Sequence, residues 1–239
     1  VNTDSMDEVL KKVQLSDWHD IYIFSHAIIK NLTKYHGYIE MDLKRIETYL
    51  ERSETLRINT IEELKQTNKS YGVEVDLRDE KRGIYIQHDP FKKGIFFKDY
   101  LKNYKHKFII CNIKSERIEF EVINILKKFS IKNYFLLDSS FPMKVICVKN
   151  KINKQSIRLS KYESLPKTKF FDKIKWIWLD TFDGFPKDAL LKGLKRKKKK
   201  ICLVSPELHG IKVKKAKIKN FLKKNNFYVD MVCTKTKFF

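Results

Sequence analysis

The chain has few cysteines. Cys111, Cys147, Cys202 and Cys233 stand far apart among 239 residues, each inside an apolar run. That usage reads as reduced core thiols of a cytosolic protein and argues against a disulfide frame or a zinc cluster. No apolar run approaches the roughly 20 residues needed to cross a bilayer. No GxGxxG and no GxxxxGKS occurs, so the usual dinucleotide and P-loop signatures are missing. The first residues, VNTDSMDEVL, carry three acids in eight and lack the basic-then-apolar order of an export signal. The cytoplasm is therefore the expected location. Arginine is also scarce, at eight of the 51 basic residues.

What is abundant is lysine. The 51 Lys and Arg against 29 Asp and Glu give a formal net charge of +22, which invites a polyanion as partner. The accompanying richness in Ile, Asn, Phe and Tyr weakens that reading, because an AT-rich genome gives the same bias whatever the function. The excess is concentrated over 187–224, where fifteen basic residues meet only Asp188 and Glu207 and where KRKKKK spans 195–200. Aromatic residues hardly interleave there, so stacking platforms for nucleic acid are poor. Nucleic-acid binding is disfavoured, and weak contact with an anionic membrane is a remote alternative. With 42% apolar residues, including 17 Phe and 11 Tyr, the chain is a folded one.

Short β-rich apolar runs recur at 21–25 (IYIFS), 73–77 (VEVDL), 108–113 (FIICNI), 134–138 (YFLLD), 156–159 (SIRL), 176–180 (WIWLD), 201–205 (ICLVS) and 228–233 (YVDMVC). Several are apolar almost throughout, as strands covered on both faces are. A further run at 83–87 reads as an extension or hairpin of the second. Between them, Asn59 and Thr60 precede Glu62 and Glu63 as a helix cap should, and 117–129 places Ile118, Val122, Ile125, Leu126 and Phe129 at helical spacing. Residues 189–194 and 216–222 repeat the pattern weakly. Residues 27–58 read as a mixed-charge, mostly helical insertion. Eight strands alternating with helices over this length predict an α/β fold, a single-domain (β/α)8 TIM-like barrel over 21–239. Residues 1–20 would be an N-terminal extension, with 1–5 foreign to a native start at Met6.

In such a barrel, chemistry belongs at the C-terminal ends of the strands. Those ends carry His26, the pair Glu74 and Asp76, His88-Asp89-Pro90, Asn112, Lys114, Asp138 and Arg158. Glu74 and Asp76 are two apart, so one strand points both to the same face. Together they make half of an oxygen-ligand site for a hard divalent cation, Mg²⁺ or Ca²⁺. Two acids in an apolar strand are costly to bury unpaired, which favours a site over a surface salt bridge. Two histidines near such a cation suit phosphodiester cleavage, one taking a proton and the other giving one, with a lysine on the phosphate. Trp176 reads as core and Trp178 as a substrate wall. His19, His106 and His209 read as loop or surface residues, and Glu40 with Asp42 as solvated.

The run Gly72-Val-Glu-Val-Asp-Leu-Arg78 followed by Gly83-Ile-Tyr-Ile-Gln-His88-Asp89-Pro90 resembles the glycerophosphodiester phosphodiesterase family. That family's pattern is His-Arg, Glu-x-Asp, then His-Asp. Asn59-Thr60 is similar to the end of its Glu-Asn-Thr element, and Asn112-Ile113-Lys114 falls on its Glu-x-Lys. The resemblance implies a TIM-like barrel and a metal-dependent phosphoric diester hydrolase. It implies Glu74, Asp76 and Asn112 as metal ligands, His26 and His88 as the acid/base pair, and Lys114 on the phosphate. It also departs from the pattern. Ala27 stands where the family has Arg, Ile28 where it has Gly, Asn112 where it has an acid, and Arg57-Ile58 where it has Pro-Glu. Arg158, ending a strand, is a candidate replacement for the lost Arg. His36-Gly37 competes with His26 as the first histidine. The expected substrate is a small phosphodiester joining glycerol or a sugar to an alcohol, a lipid headgroup or a glycan precursor. The alternative is a barrel of the same descent that binds a phosphorylated sugar for polysaccharide synthesis without cleaving it.

Overall fold

The computed structural model of the chain describes residues 53–166 and 172–235. The chain divides into two compact units, residues 1–47 and 48–239, and everything described below belongs to the second. The expected bounds, an extension over 1–20 and a barrel from Ile21, fall on residues outside the described ones. The run at 21–25, the insertion through 52, and His19, His26 and His36 lie outside the described residues.

Among the described residues there are ten strands and six α-helices. They are β1 (Ser53–Arg57), α1 (Ile61–Gln66), β2 (Gly72–Glu80), β3 (Gly83–Ile86), β4 (Ile95–Phe96), α2 (Phe97–Leu101), β5 (Phe108–Ile113) and α3 (Glu119–Lys128). Then follow β6 (Tyr134–Leu137), α4 (Phe141–Lys149), β7 (Ser156–Ser160), β8 (Trp176–Asp180), α5 (Asp188–Arg196), β9 (Lys200–Val204), α6 (Lys215–Lys224) and β10 (Met231–Cys233). Eight strands run parallel in the order β6-β5-β2-β1-β10-β9-β8-β7. The terminal strands β6 and β7 share one parallel bridge, Leu136 with Gln155, rather than an extended ladder. β3 folds back antiparallel on β2, and β4 antiparallel on β3, so the sheet is mixed at that edge. The α/β class is as expected. The first parallel strand is not: Ser53–Arg57 fills the position assigned to 21–25.

Alternation along each strand explains the layering. Val73, Val75, Leu77, Ile109, Cys111 and Ile113 face α1, α2 and α3 in one apolar cluster. Ile157, Ile177, Leu179, Ile201, Leu203 and Val232 face α5 and α6 in a second. The alternate residues face away from the helices into a third cluster of Ile110, Phe135, Leu137, Trp178, Cys202, Val204, Met231 and Cys233. At the N-terminal ends of the strands this third cluster is stopped by Phe108, Phe135 and Trp176, whose ring centroids lie 5.0 to 5.7 Å apart. Trp178 is therefore buried core, 5% exposed, and not a substrate wall. All four cysteines are free and buried, as their apolar settings predicted.

Local signals account for the elements that position the site. Thr60 caps α1: its hydroxyl accepts from the Glu63 amide at 3.1 Å and donates to the Glu63 carboxylate at 3.0 Å. Because Thr60 takes that duty, Asn59 is free to face β2. Gly94 is required by close approach, since a Cβ there would lie 2.1 Å from the Ile86 carbonyl oxygen. The lysine-rich stretch is partly structural: Lys195 pairs with Asp230 at 2.6 Å, and buried Lys199 donates to the Ile174 carbonyl at 2.7 Å.

Candidate active site

At the C-terminal ends of the strands, the side facing away from the helices changes from apolar to ionic. Glu74 and Asp76 follow each other on β2, 6% and 0% exposed, and register places Asp76 opposite Asn112 on β5. Asn112 Nδ2 donates to Glu74 Oε1 at 2.8 Å, while Cys233 Sγ from β10 donates to Glu74 Oε2 at 3.6 Å. Asn59 clamps Asp76 twice: its Nδ2 donates to Oδ2 at 2.8 Å, and its Oδ1 accepts from the Asp76 amide at 3.1 Å. Lys114 Nζ stands 3.5 Å from Asp76 Oδ1. The sequence-predicted residues Glu74, Asp76, Asn112 and Lys114 thus meet in one cluster, and Asn59 joins them. Burial, then the charge of Asp76, pushes the Glu74 carboxyl above its ordinary range, against the opposing pull of Asn112, Lys114 and Arg57.

The cluster continues as a chain of alternating charge. Lys114 reaches Asp138 Oδ2 at 3.9 Å, and Arg158 grips Asp138 with Nε at 3.2 Å and Nη2 at 2.7 and 2.8 Å. Arg158 Nη1 donates to Asp180 Oδ2 at 2.6 Å, and its Nε is 3.7 Å from Glu163. Three carboxylates therefore engage Arg158, and it serves to hold Asp138 and Asp180 in place. Asp180, 3% exposed, pairs in turn with His209.

His88 is placed differently. Its ring is half exposed, and Nδ1 lies 2.8 Å from Asp89 Oδ1. A hydrogen bond from Lys92, then one from His88, holds the Asp89 carboxyl down at about 2. The link from His88 to the cluster runs through backbone: Arg78 donates to the His88 carbonyl from Nε at 3.1 Å and Nη2 at 2.7 Å, and to the Lys114 carbonyl from Nη1 at 3.1 Å.

Two residues escaped the sequence reading. Arg57 ends β1 exposed, in register with Glu74, and its charge acts on that carboxylate. Among the described residues it makes no ion pair. The signal was the basic residue two before Asn59. His209 was read as a loop residue; the Ser-Pro-Glu-Leu-His-Gly turn after an apolar strand was the signal that it is rigidly held.

The donor set fits a hard cation. Asp76 Oδ1 and Asn112 Oδ1 are buried with no hydrogen-bond partner, and two carboxylates with an amide oxygen are the ligand type Mg²⁺ or Ca²⁺ takes. Among the described residues no three His, Cys, Asp or Glu side chains gather in a metal-holding group; the third oxygen here is the amide.

Solved structures share this fold. A glycerophosphodiester phosphodiesterase from Parabacteroides distasonis aligns with a TM-score of 0.55 over 77% of this chain and 93% of its own, at 12% identity. One from Agrobacterium tumefaciens aligns with a TM-score of 0.55 over 76% and 96%, at 11% identity. The fold is that of the glycerophosphodiester phosphodiesterases. Neither a family model nor a curated protein matches the sequence. In the glycerophosphodiester phosphodiesterase fold the strand ends that gather Glu74, Asp76, Asn112 and Lys114 are the natural place for a ligand, so geometry and fold agree on where to look. Among the described residues no helix is long and apolar enough to cross a membrane.

Proposed function

We propose that the chain is a divergent member of the glycerophosphodiester phosphodiesterase family, a (β/α)8 barrel closed between β6 and β7, that hydrolyses a small phosphodiester. The observation that carries this reading is the convergence of Glu74, Asp76, Asn112 and Lys114 on adjacent strand ends, Asn112 bonded to Glu74 and Lys114 paired with Asp76. Glu74, Asp76 and Asn112 would hold the divalent cation. When bound, such a cation neutralises phosphate charge and polarises the P–O bond. Lys114 and exposed Arg57 supply positive charge to the phosphate, Arg57 with the bidentate geometry that suits it. His88, backed by Asp89, moves a proton at the edge of the site, with His26 as the partner implied by the resemblance. Arg158 positions Asp138, and through it Lys114.

Titration of Mg²⁺, Ca²⁺ and Mn²⁺ by calorimetry, with a Glu74→Ala/Asp76→Ala double variant as control, tests the cation. Release of alcohol from glycerophosphodiesters tests the reaction. Cation binding and turnover that both vanish in the double variant are expected. A folded wild-type protein with neither would favour a second reading, a barrel that binds its phosphodiester without cleaving it. The observation behind that reading is that the Asn112 amide and the Lys114 ammonium already satisfy the two carboxylates in part.

A further inference from the structure

The three most exposed large apolar side chains among the described residues are Phe91, Tyr162 and Phe141, at 103%, 74% and 61%. All three stand at the site end of the sheet. Phe141 follows β6, and Tyr162 follows β7. Phe91 lies in the loop after β3, where the Gln87 amide donates to the Asp76 carbonyl at 2.9 Å. That loop therefore leaves the sheet at the level of a site carboxylate. A single exposed aromatic is ordinary, whereas the most exposed ones gathered at one end of a sheet mark a contact surface.

Their exposure is built into the loops. Gln87 fastens the Phe91 loop: its Nε2 donates to the Lys93 carbonyl at 2.8 Å, and its Oε1 accepts from the Asp89 amide at 3.3 Å. Arg78 holds the His88 carbonyl at one end of that loop, and Gly94 packs on the Ile86 carbonyl at the other. Between them Phe91 takes φ +61°, a left-handed conformation that bulky side chains rarely adopt, with its ring in solvent. The Tyr162 loop closes on Ser160, whose hydroxyl accepts from the Tyr162 amide at 3.1 Å and the Glu163 amide at 3.0 Å. Phe182 props the Tyr162 ring, centroids 5.5 Å apart, and Arg158 links Glu163 to the charge chain. Fixed loops that keep rings in water forgo the stabilisation of burying them, which a partner outside the chain would supply.

Basic side chains flank both tips. Lys92 and Lys93 follow Phe91, and Lys161 precedes Tyr162 with its ammonium 5.0 Å from the ring centroid. Lys92 reaches exposed Asp89 and Lys161 reaches exposed Asp183, while Lys93 makes no ion pair among the described residues. Separate aromatic tips, each beside a lysine, suit a phospholipid surface: the rings enter the interface and the ammonium groups meet phosphate. The headgroup linkage of a phospholipid is itself a phosphodiester, the chemistry for which the site behind these loops is read.

We propose that the site end of the sheet docks on an anionic phospholipid membrane, with Phe91 and Tyr162 as the inserting side chains and Lys92, Lys93 and Lys161 on its phosphates. This surface is distinct from the lysine-rich stretch over 187–224. The docking stands independently of the phosphodiesterase reading. Joined to that reading, it makes the substrate a phosphodiester that still carries its acyl chains.

Co-sedimentation of the full chain with vesicles of equal parts phosphatidylcholine and phosphatidylglycerol tests it. The wild type should bind, and a Phe91→Ser/Tyr162→Ser variant should partition at least about tenfold more weakly. Lys92→Gln/Lys93→Gln should weaken binding and flatten its dependence on salt. Phe227→Ser, before β10 at the opposite end of the sheet, should stay within about twofold of wild type. Circular dichroism melts establish that each variant is folded. No binding by the wild type, or undiminished binding by the folded aromatic variant, overturns the proposal. Binding lost only in Lys197→Glu/Lys198→Glu assigns the contact to the lysine-rich stretch and overturns it as well. So does a dimer in sedimentation velocity that the aromatic variant dissociates, since the tips would then serve a second copy. The assay needs no turnover: a wild type that binds vesicles and cleaves no phosphodiester overturns the phosphodiesterase reading and leaves the docking in place.

Discussion

Asn112→Asp is the most informative single change, because it exchanges a hydrogen bond for a third carboxylate. In the present site Asn112 Nδ2 donates to Glu74 Oε1 at 2.8 Å, and its register partner is Asp76, 0% exposed. The substitution removes the donor and adds an acid beside two buried ones. A hydrogen bond to a charged group contributes about 1.5–3 kcal/mol net, and like-charge repulsion acts in the same direction. Without cation the variant should lose roughly 2–3 kcal/mol, which for a chain of this size lowers Tm by about 4–12 °C. A cation bound only by the folded state restores about 2.7 kcal/mol at a hundred times its Kd. Calorimetric melts in EDTA and in excess Mg²⁺ measure both effects. The variant should melt lower than wild type in EDTA and gain more from Mg²⁺. Coincident melts in EDTA would refute the hydrogen-bond argument, and a variant indifferent to Mg²⁺ would refute the cation site.

Glu74→Gln should stabilise the cation-free protein at neutral pH. The folded-state carboxyl lies above its unfolded value of 4.5, so the wild type loses stability as pH rises from 4.5 through the folded value, and urea melts between pH 4.5 and 8 should show the variant without that decline. Arg158→Met leaves Asp138 only Lys114 and Asp180 only His209 as charged neighbours and should cost about 2–3 kcal/mol in urea melts, with partial recovery when Asp138→Asn and Asp180→Asn are added. Thr60→Ala removes the cap of α1 and should cost about 1 kcal/mol in the same assay. Gly94→Ala forces the Ile86 carbonyl aside and should cost at least about 2 kcal/mol.

Where a strand is apolar on both faces, its sequence reveals it. FIICNI, YFLL, WIWLD and ICLV lie between a helix-facing cluster and the cluster on the other side, and each was legible for that reason, while VEVDL was legible from the alternation of its helix-facing Val73, Val75 and Leu77 with Glu74 and Asp76. β1 is SETLR, and it escaped notice because only Leu56 and, just beyond, Ile58 carry the apolar signal, while Arg57 occupies the face that becomes the site. The chemistry that makes a strand end functional is what hides it from a hydrophobicity reading. α4 was hidden differently. FPMKVICVK, with Val145, Ile146 and Val148, shows no clear helical spacing of apolar residues, yet Ser140 caps it by accepting from the Met143 amide at 3.3 Å, with Pro142 in its first turn. The cap outweighs the propensity there.

The site divides along the same line. Glu74 and Asp76 were legible from their i, i+2 spacing, and Asn112 and Lys114 from the resemblance. Asp138 and Asp180 end YFLLD and WIWLD in plain view, but which basic residue each would meet depends on strands distant in sequence. That pairing sets what Arg158 does. A guanidinium at a strand end reads as a phosphate ligand; here it is bonded to Asp138 and Asp180. The whole-chain charge misleads for the same reason. The +22 excess belongs mostly to surface lysines, whereas the site sets Glu74, Asp76, Asp138, Glu163 and Asp180 against Arg57, Lys114 and Arg158. An acid-rich site in a basic protein does not attract a phosphodiester by its own charge. On the proposed reading it needs a bound cation or protonated groups to receive one, which makes Lys114, Arg57 and whatever Glu74 and Asp76 hold the candidates for recognising an anionic substrate.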